Sequence, residues 1–524
     1  MPTKPSPSAP SSVSASSPSE LGLKLIHYVQ AGYPGLYLVS PEEQRVEAEL
    51  KSVIEHLNCQ DQEPYQLCYW SVVDGLVNTQ TNQVHSANDP LEVLQAIGEQ
   101  KERTITLLKD YHLFLEEPNP MVLRKLRDVL LEAKTKQKTL IIAGCRLVLP
   151  PELEREITVV EFALPGREEL RHVLHGIQES AGLKSIEPEQ QEKVIDAACG
   201  LTTIEAENAF ALSYVQTKTI DPRVVSREKA QAVKKNGLLE IIEARETLES
   251  IGGLDVLKSW LLKRKDAFGQ RAKDYGLPTP KGLLVIGIPG TGKSLTAKAT
   301  ASVFGVPLLK LDAGRLFGGI VGQSESNLRA VIQTAEAIAP CCLWIDEMEK
   351  GFAGSKSSGS TDGGTSARVF GSFISWMQEK TSPVFVVATA NDVSQLPPEM
   401  LRKGRFDELM FVDLPNQEER QAIWDIQIRK HGREAEEFDL AALAKATEGL
   451  TGSEIEQVFV EALFCGFDQG KEPTDFSIAQ VLTEYVPLSK LMAEQIASLR
   501  TWAKGRAKQA TTQASFRGTR KMAG

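Results

Sequence analysis

Residues Gly287 to Ser294 read GIPGTGKS, which is glycine, four residues, glycine, lysine and serine. That spacing suits the holding of phosphate: the glycines let the backbone turn so that successive N–H groups converge on an anion, Lys293 reaches the β- and γ-phosphates, and Ser294 offers a hydroxyl to Mg²⁺. Ile288, Pro289, Gly290, Thr291, Gly292 and the following Leu295 complete the set that would surround a nucleotide. The context agrees. Gly282 to Ile286 is an apolar run that reads as a buried strand, and Ser294 to Phe304 reads as a helix whose positive N-terminal end faces the same anion. About fifty residues on, Cys341 to Glu347 (CCLWIDE) is a second apolar run, ending in two carboxylates. Asp346 is placed to hold the Mg²⁺ shell and Glu347 to polarise an attacking water.

The chain that must position these groups has 524 residues, too many for one core. Its net charge of −10 argues against a general nucleic-acid binder. No apolar run approaches the roughly twenty residues of a membrane span. The seven cysteines have no zinc-like spacing, and none of the seven histidines lies in an H-E-x-x-H motif, which argues against a metalloprotease. Residues 1–20 are dominated by Ser, Pro, Ala and Thr and read as a disordered tail, and the chain after Trp502 is basic, so 501–524 reads as a flexible end.

From 21 to 245, apolar runs at Gly35–Ser40, Tyr65–Val73, Thr104–Leu108 and Thr139–Gly144 alternate with helical stretches, implying a parallel sheet covered by helices. Two blocks recur at nearly the same separation. Leu149-Pro150-Pro151-Glu152 returns as Leu396-Pro397-Pro398-Glu399, and Gly200-Leu201-Thr202 as Gly449-Leu450-Thr451. The first half thus reads as a diverged copy of the second. Its loop, Val39 to Gln44, has neither glycine nor lysine, and Lys109-Asp110-Tyr111 stands at the acidic strand end, with Tyr111 aligned to Glu347. Glu240 to Lys265 reads as a charged helical connection containing Ile251-Gly252-Gly253-Leu254.

With these motifs in order, the segment from about Leu248 to Arg500 resembles the AAA family of the AAA+ ATPases, most closely its members conserved in cyanobacteria and encoded in algal plastid genomes. The resemblance implies an α/β fold: a degenerate AAA-like domain over 21–245, a large ATPase subdomain over 246–416 and a helical lid over 417–500. It implies ATP and Mg²⁺ as cofactors and ATP hydrolysis as the activity. Asn391, ending the run Val384 to Ala390, takes the place of the family's first sensor. Arg402 and Arg405 match its arginine-finger segment, which acts on a neighbouring subunit's nucleotide and so implies a homo-oligomeric ring, a hexamer by family precedent. Ser453 stands where the family has alanine, so no second-sensor arginine is expected. Ile320 replaces the pore aromatic of members that thread polypeptides, and Gly354 to Thr365 corresponds to a second pore region. The expected client is a protein, in cytoplasm or plastid stroma, with a role linked to photosynthesis or carbon supply.

Overall fold

A computed structural model describes residues 19–60, 63–117, 119–183, 187–235, 237–244, 246–317, 323–352, 363–402 and 404–512. Ile320 and its neighbours, most of Gly354 to Thr365, the first eighteen residues, and Arg517, Arg520 and Lys521 lie outside them. The chain forms two compact units, one built on residues up to Pro165 with Thr202–Glu207, the other on Gly166–Leu201 and the chain from Asn208 onward.

The first unit is a seven-stranded sheet of β1 (Gly35–Val39), β2 (Gln66–Ser71), β3 (Gly75–Asn78), β4 (Val84–His85), β5 (Thr104–Lys109), β6 (Thr139–Gly144) and β7 (Ile157–Glu161). Strand order is β4-β3-β2-β5-β6-β1-β7. The four expected strands are β1, β2, β5 and β6. The short hairpin strands β3 and β4 and the edge strand β7 carry too little apolar signal to stand out. Alternate residues face opposite layers: Tyr37, Leu108 and Ile142 enter one core, Leu36, Leu107 and Ile141 the other.

The second unit carries another seven-stranded sheet, β8 (Leu239–Ile242), β9 (Gly282–Gly287), β10 (Leu308–Leu311), β11 (Cys341–Ile345), β12 (Val384–Ala390), β13 (Glu408–Val412) and β14 (Lys508–Gln509), in the order β14-β13-β9-β12-β11-β10-β8. Leu283, Val285 and Phe385 pack on one face, Leu284, Ile286 and Val386 on the other. The connection expected to be helical from Glu240 opens instead as β8, antiparallel to β10. Three apolar residues in the strand, Leu239, Ile241 and Ile242, prefer the pleated edge to a helix. Lys508 and Gln509 pair with Met410 and Phe411 as an edge strand. The helices Gln417–Lys430, Leu440–Ala446, Gly452–Gln469 and Asp475–Glu484 enclose a separate core around Trp424, Phe459 and Ile478. Helix Ala493–Ala503 returns Leu499 and Ala503 to the sheet.

Numbered within each half, the central strands run 5-1-4-3-2 in both sheets: β7-β1-β6-β5-β2 and β13-β9-β12-β11-β10. All of these neighbours are parallel. The repeated block also folds alike. Gly200 and Gly449 have φ of 92° and 83°. Thr202 and Glu205 exchange the same backbone–side-chain hydrogen bonds that Thr451 and Glu454 exchange. Two matched sheets and two matched caps support an internal duplication.

Candidate functional site

The loop after β9 carries the local geometry its sequence dictates. Gly290 and Gly292 sit at φ 79° and 93°, a region open to glycine at little cost. Helix Lys293–Phe304 follows directly. Gly290 also has no room for a side chain, since a Cβ there would lie 2.8 Å from Thr451 Oγ1. Lys293 is 7 % exposed, and its ammonium donates to the carbonyls of Gly287 (3.0 Å) and Ile288 (2.7 Å). Burial pushes its pKa down to about 8, against the opposing pull of Glu349, Asp346 and Glu347.

β11, fully buried, delivers Asp346 and Glu347 to the same place. Ser294 Oγ donates to Asp346 Oδ1 at 3.4 Å, so the hydroxyl and carboxylate oxygens that suit Mg²⁺ are already side by side. Glu347 has φ 46°, a left-handed turn at the end of the strand. Its carboxylate accepts from Asn391 Nδ2 at 3.1 Å and pairs with Lys350. Asn391 in turn donates its backbone N–H to Glu349 at 3.0 Å. Burial raises the Glu349 pKa, and Glu349 Oε2 has no hydrogen-bond partner.

Lys293, Ser294, Asp346, Glu347 and Asn391 line one cavity of about 380 Å³, whereas Gly287, Ile288 and Glu349 stand behind its wall. Pro289 to Leu295, Asp346, Glu347 and Asn391 form one wall, while Ser250, Ile251 and Gly252 come from the connection before β9. Ile423, Ile426, Gln427, Gly452, Ser453 and Glu456 come from the helical subdomain. The lid is tied to the loop by Ser453 N–H donating to Gly290 O at 3.1 Å. Arg402 and Arg405 do not line this cavity. Arg402 is exposed, and Arg405 lies against the Gln378 amide.

Sequence reasoning missed Thr389. Its hydroxyl donates to Asp346 Oδ1 (2.7 Å) and accepts from the Glu347 N–H (3.0 Å), which fixes the Asp346 carboxylate and the backbone turn at Glu347. The only signal was a hydroxyl residue two before Asn391 in an otherwise apolar strand. The lid and connection residues carried no chemistry-bearing pattern of their own, although Ile251-Gly252-Gly253 was visible as an interruption.

The first unit shows what became of the equivalent place. Gly35 pairs with Leu140 and Val39 with Gly144, as Gly282 pairs with Val386 and Ile286 with Ala390. Lys109 lies opposite Ala143, the counterpart of Thr389, so it holds the position of Asp346. Asp110, at φ 53°, therefore corresponds to Glu347, and Tyr111 does not. The alignment expected from sequence is off by one residue because β5 is a residue longer than β11. Charge is inverted here: Lys109 pairs with Glu43 (2.9 Å) and Glu47 (2.5 Å) on helix Glu43–Gln60. Glu42, 3 % exposed, accepts from the Thr203 N–H (2.6 Å) and hydroxyl (2.7 Å) at the start of helix Thr203–Thr217. A carboxylate of the chain thus occupies the N-terminus of the helix that corresponds to lid helix Gly452–Gln469.

Comparison with known proteins agrees with this geometry. Residues 283–414 match the family described as ATPase family associated with various cellular activities (AAA). Residues 22–162 match the N-terminal domain, and 168–236 the second domain, of SpoVK-like AAA ATPases. The AAA domain-containing protein ycf46 of Trieres chinensis is 43 % identical over 92 % of this chain and 96 % of its own. That of Guillardia theta is 40 % identical over 91 % and 93 %. The ATPase family gene 2 protein of Schizosaccharomyces pombe is 30 % identical over 47 % of this chain and 30 % of its own. With a phosphate-loop cavity on the second sheet and relatives alike over nearly their whole length, the chain belongs to the AAA domain family.

Proposed function

We propose that the chain is an ATP-hydrolysing AAA ATPase that works as a ring-forming homo-oligomer, a hexamer by family precedent, and couples its nucleotide state to remodelling or regulating a protein partner. The observation that carries the reading is the convergence of Lys293, Ser294, Asp346, Glu347 and Asn391 on one cavity roofed by the lid. Gly287 to Leu295 would hold the phosphates, and Ser294 with Asp346 would hold Mg²⁺, which when bound neutralises charge on the transferring phosphoryl group. Lys293 exchanges its carbonyl partners for phosphate oxygens. Glu347 accepts a proton from the attacking water, and Asn391 holds that carboxylate in place. Arg402 and Arg405, absent from their own cavity, are free to serve a neighbour's. The first unit, whose loop Val39 to Gln44 has neither glycine nor lysine, serves as docking or regulatory domain. The role linked to photosynthesis or carbon supply rests on resemblance alone.

A second reading is a nucleotide-gated scaffold, favoured by the Ser453–Gly290 link through which occupancy of the loop would set the lid. Steady-state turnover separates the two. Remodelling expects ATPase activity stimulated by partners captured on Glu347→Gln, whereas slow, partner-indifferent turnover with nucleotide-dependent oligomer size supports the scaffold.

A further inference from the structure

The strand ends of the first unit hold a second constellation of reactive groups. By the same register, Cys145 follows Gly144 as Asn391 follows Ala390, and His112 stands two residues after Asp110 as Glu349 does after Glu347. Three positions that form a hydrogen-bonded chain at the strand ends of the second unit, Glu347, Asn391 and Glu349, therefore carry carboxylate, thiol and imidazole in the other copy. Cys145 Sγ lies 3.8 Å from His112 Nε2, within reach of a sulfur hydrogen bond. On the far side of the ring, His112 Nδ1 lies 3.9 Å from Asp110 Oδ1.

Two independent features make this more than a cysteine near a histidine. The ring is 2 % exposed and its Nδ1 has no hydrogen-bond partner, so a buried polar atom faces the carboxylate unsatisfied. The fold also makes room for the ring: a Cβ on Gly144 would lie 2.4 Å from that same Nδ1. Burial lowers the imidazole pKa and keeps the ring neutral, against the opposing pull of Asp110, which favours the protonated ring. The other charged neighbour is Arg146, which pairs with Glu116. Cys145 itself is exposed.

We propose that Cys145 is a histidine-activated thiol and a site of oxidative modification by hydroperoxides. His112 Nε2 takes the thiol proton, and Asp110 stabilises the imidazolium through Nδ1–H. The thiolate sulfur attacks one oxygen of hydrogen peroxide; the S–O bond forms and the O–O bond breaks. Sulfur is oxidised by two electrons to the sulfenic acid. The second oxygen leaves as water with the proton that His112 returns. His112 and Asp110 are positioning residues in this scheme. The copy that lost its nucleotide chemistry gains a redox-sensitive group at the same strand ends.

The test uses the full chain and compares Cys145 with Cys59, the other exposed thiol among the described cysteines. At pH 7 Cys145 is expected to be alkylated by iodoacetamide about tenfold faster than Cys59, since an imidazole that takes the thiol proton leaves the more nucleophilic thiolate. Hydrogen peroxide with dimedone, read by peptide mass spectrometry, is expected to label Cys145 first. His112→Asn should bring its rate down to that of Cys59 and move the midpoint of its alkylation–pH profile upward. Because the ring is buried, Asp110→Asn, altering an exposed side chain, provides a second variant expected to slow Cys145 severalfold. Equal rates at the two cysteines in the parent protein, or a Cys145 rate and pH profile unchanged in the folded variants, would overturn the assignment.

Discussion

Thr389 ties the two acidic residues at the strand end together, donating to the Asp346 carboxylate and accepting from the Glu347 backbone N–H. Thr389→Val keeps the shape and removes both bonds. Turnover is expected to fall about tenfold, the cost of one charge-assisted hydrogen bond, with ATP affinity changed less than about twofold; steady-state kinetics beside equilibrium binding checks this. Lys293 supplies a pH signature. Its pKa is lowered to about 8 by burial, and bound phosphate would raise it, so the complex holds more protons than the free protein above pH 8. The sign follows: affinity is flat below pH 8 and weakens above it, approaching about tenfold per unit. Calorimetry at pH 9 in buffers of different ionisation enthalpy should register proton uptake, and binding without uptake would count against the assignment.

Among the elements, helix Thr203–Thr217 and helix Gly452–Gln469 open on the same capping box, yet each meets a different partner. The second approaches the glycine loop at Gly290, whereas the first is held by the buried Glu42 carboxylate, which also pairs with Arg45 at 3.0 Å. Glu42→Ala removes the charge at that helix start and is expected to lower the unfolding free energy of the first unit by about 2 kcal/mol in a denaturant titration. Much of this was legible in the sequence, for identifiable reasons. β9, β11 and β12 are buried on both faces and so read as continuous apolar runs ending in Gly287, Asp346 and Asn391. The repeated Gly-Leu-Thr block disclosed the duplication. β3, β4, β8 and β14 are short strands at or beside a sheet edge, held by pairing rather than by their own pattern. The extra residue in β5 that puts Asp110 at the place of Glu347 is fixed by register against β6, which no run of residue types reveals.

At the scale of the molecule, the two halves share a strand order and differ in charge. One presents Lys293 to a cavity edged by Asp346; the other places Lys109 where that aspartate would be and answers it with Glu43 and Glu47. If assembly completes the site through Arg402, subunits carrying Arg402→Ala and subunits carrying Lys293→Ala, each inactive alone, should recover partial ATPase activity on mixing; no recovery at any ratio would remove the support for a shared site. The central claim, that the second half binds nucleotide and the first cannot, is open to one direct measurement: calorimetric titration of the full chain with ATP and Mg²⁺. The account expects one nucleotide per chain, and none for Lys293→Ala. Two nucleotides per chain, or binding undiminished in that variant, would contradict it.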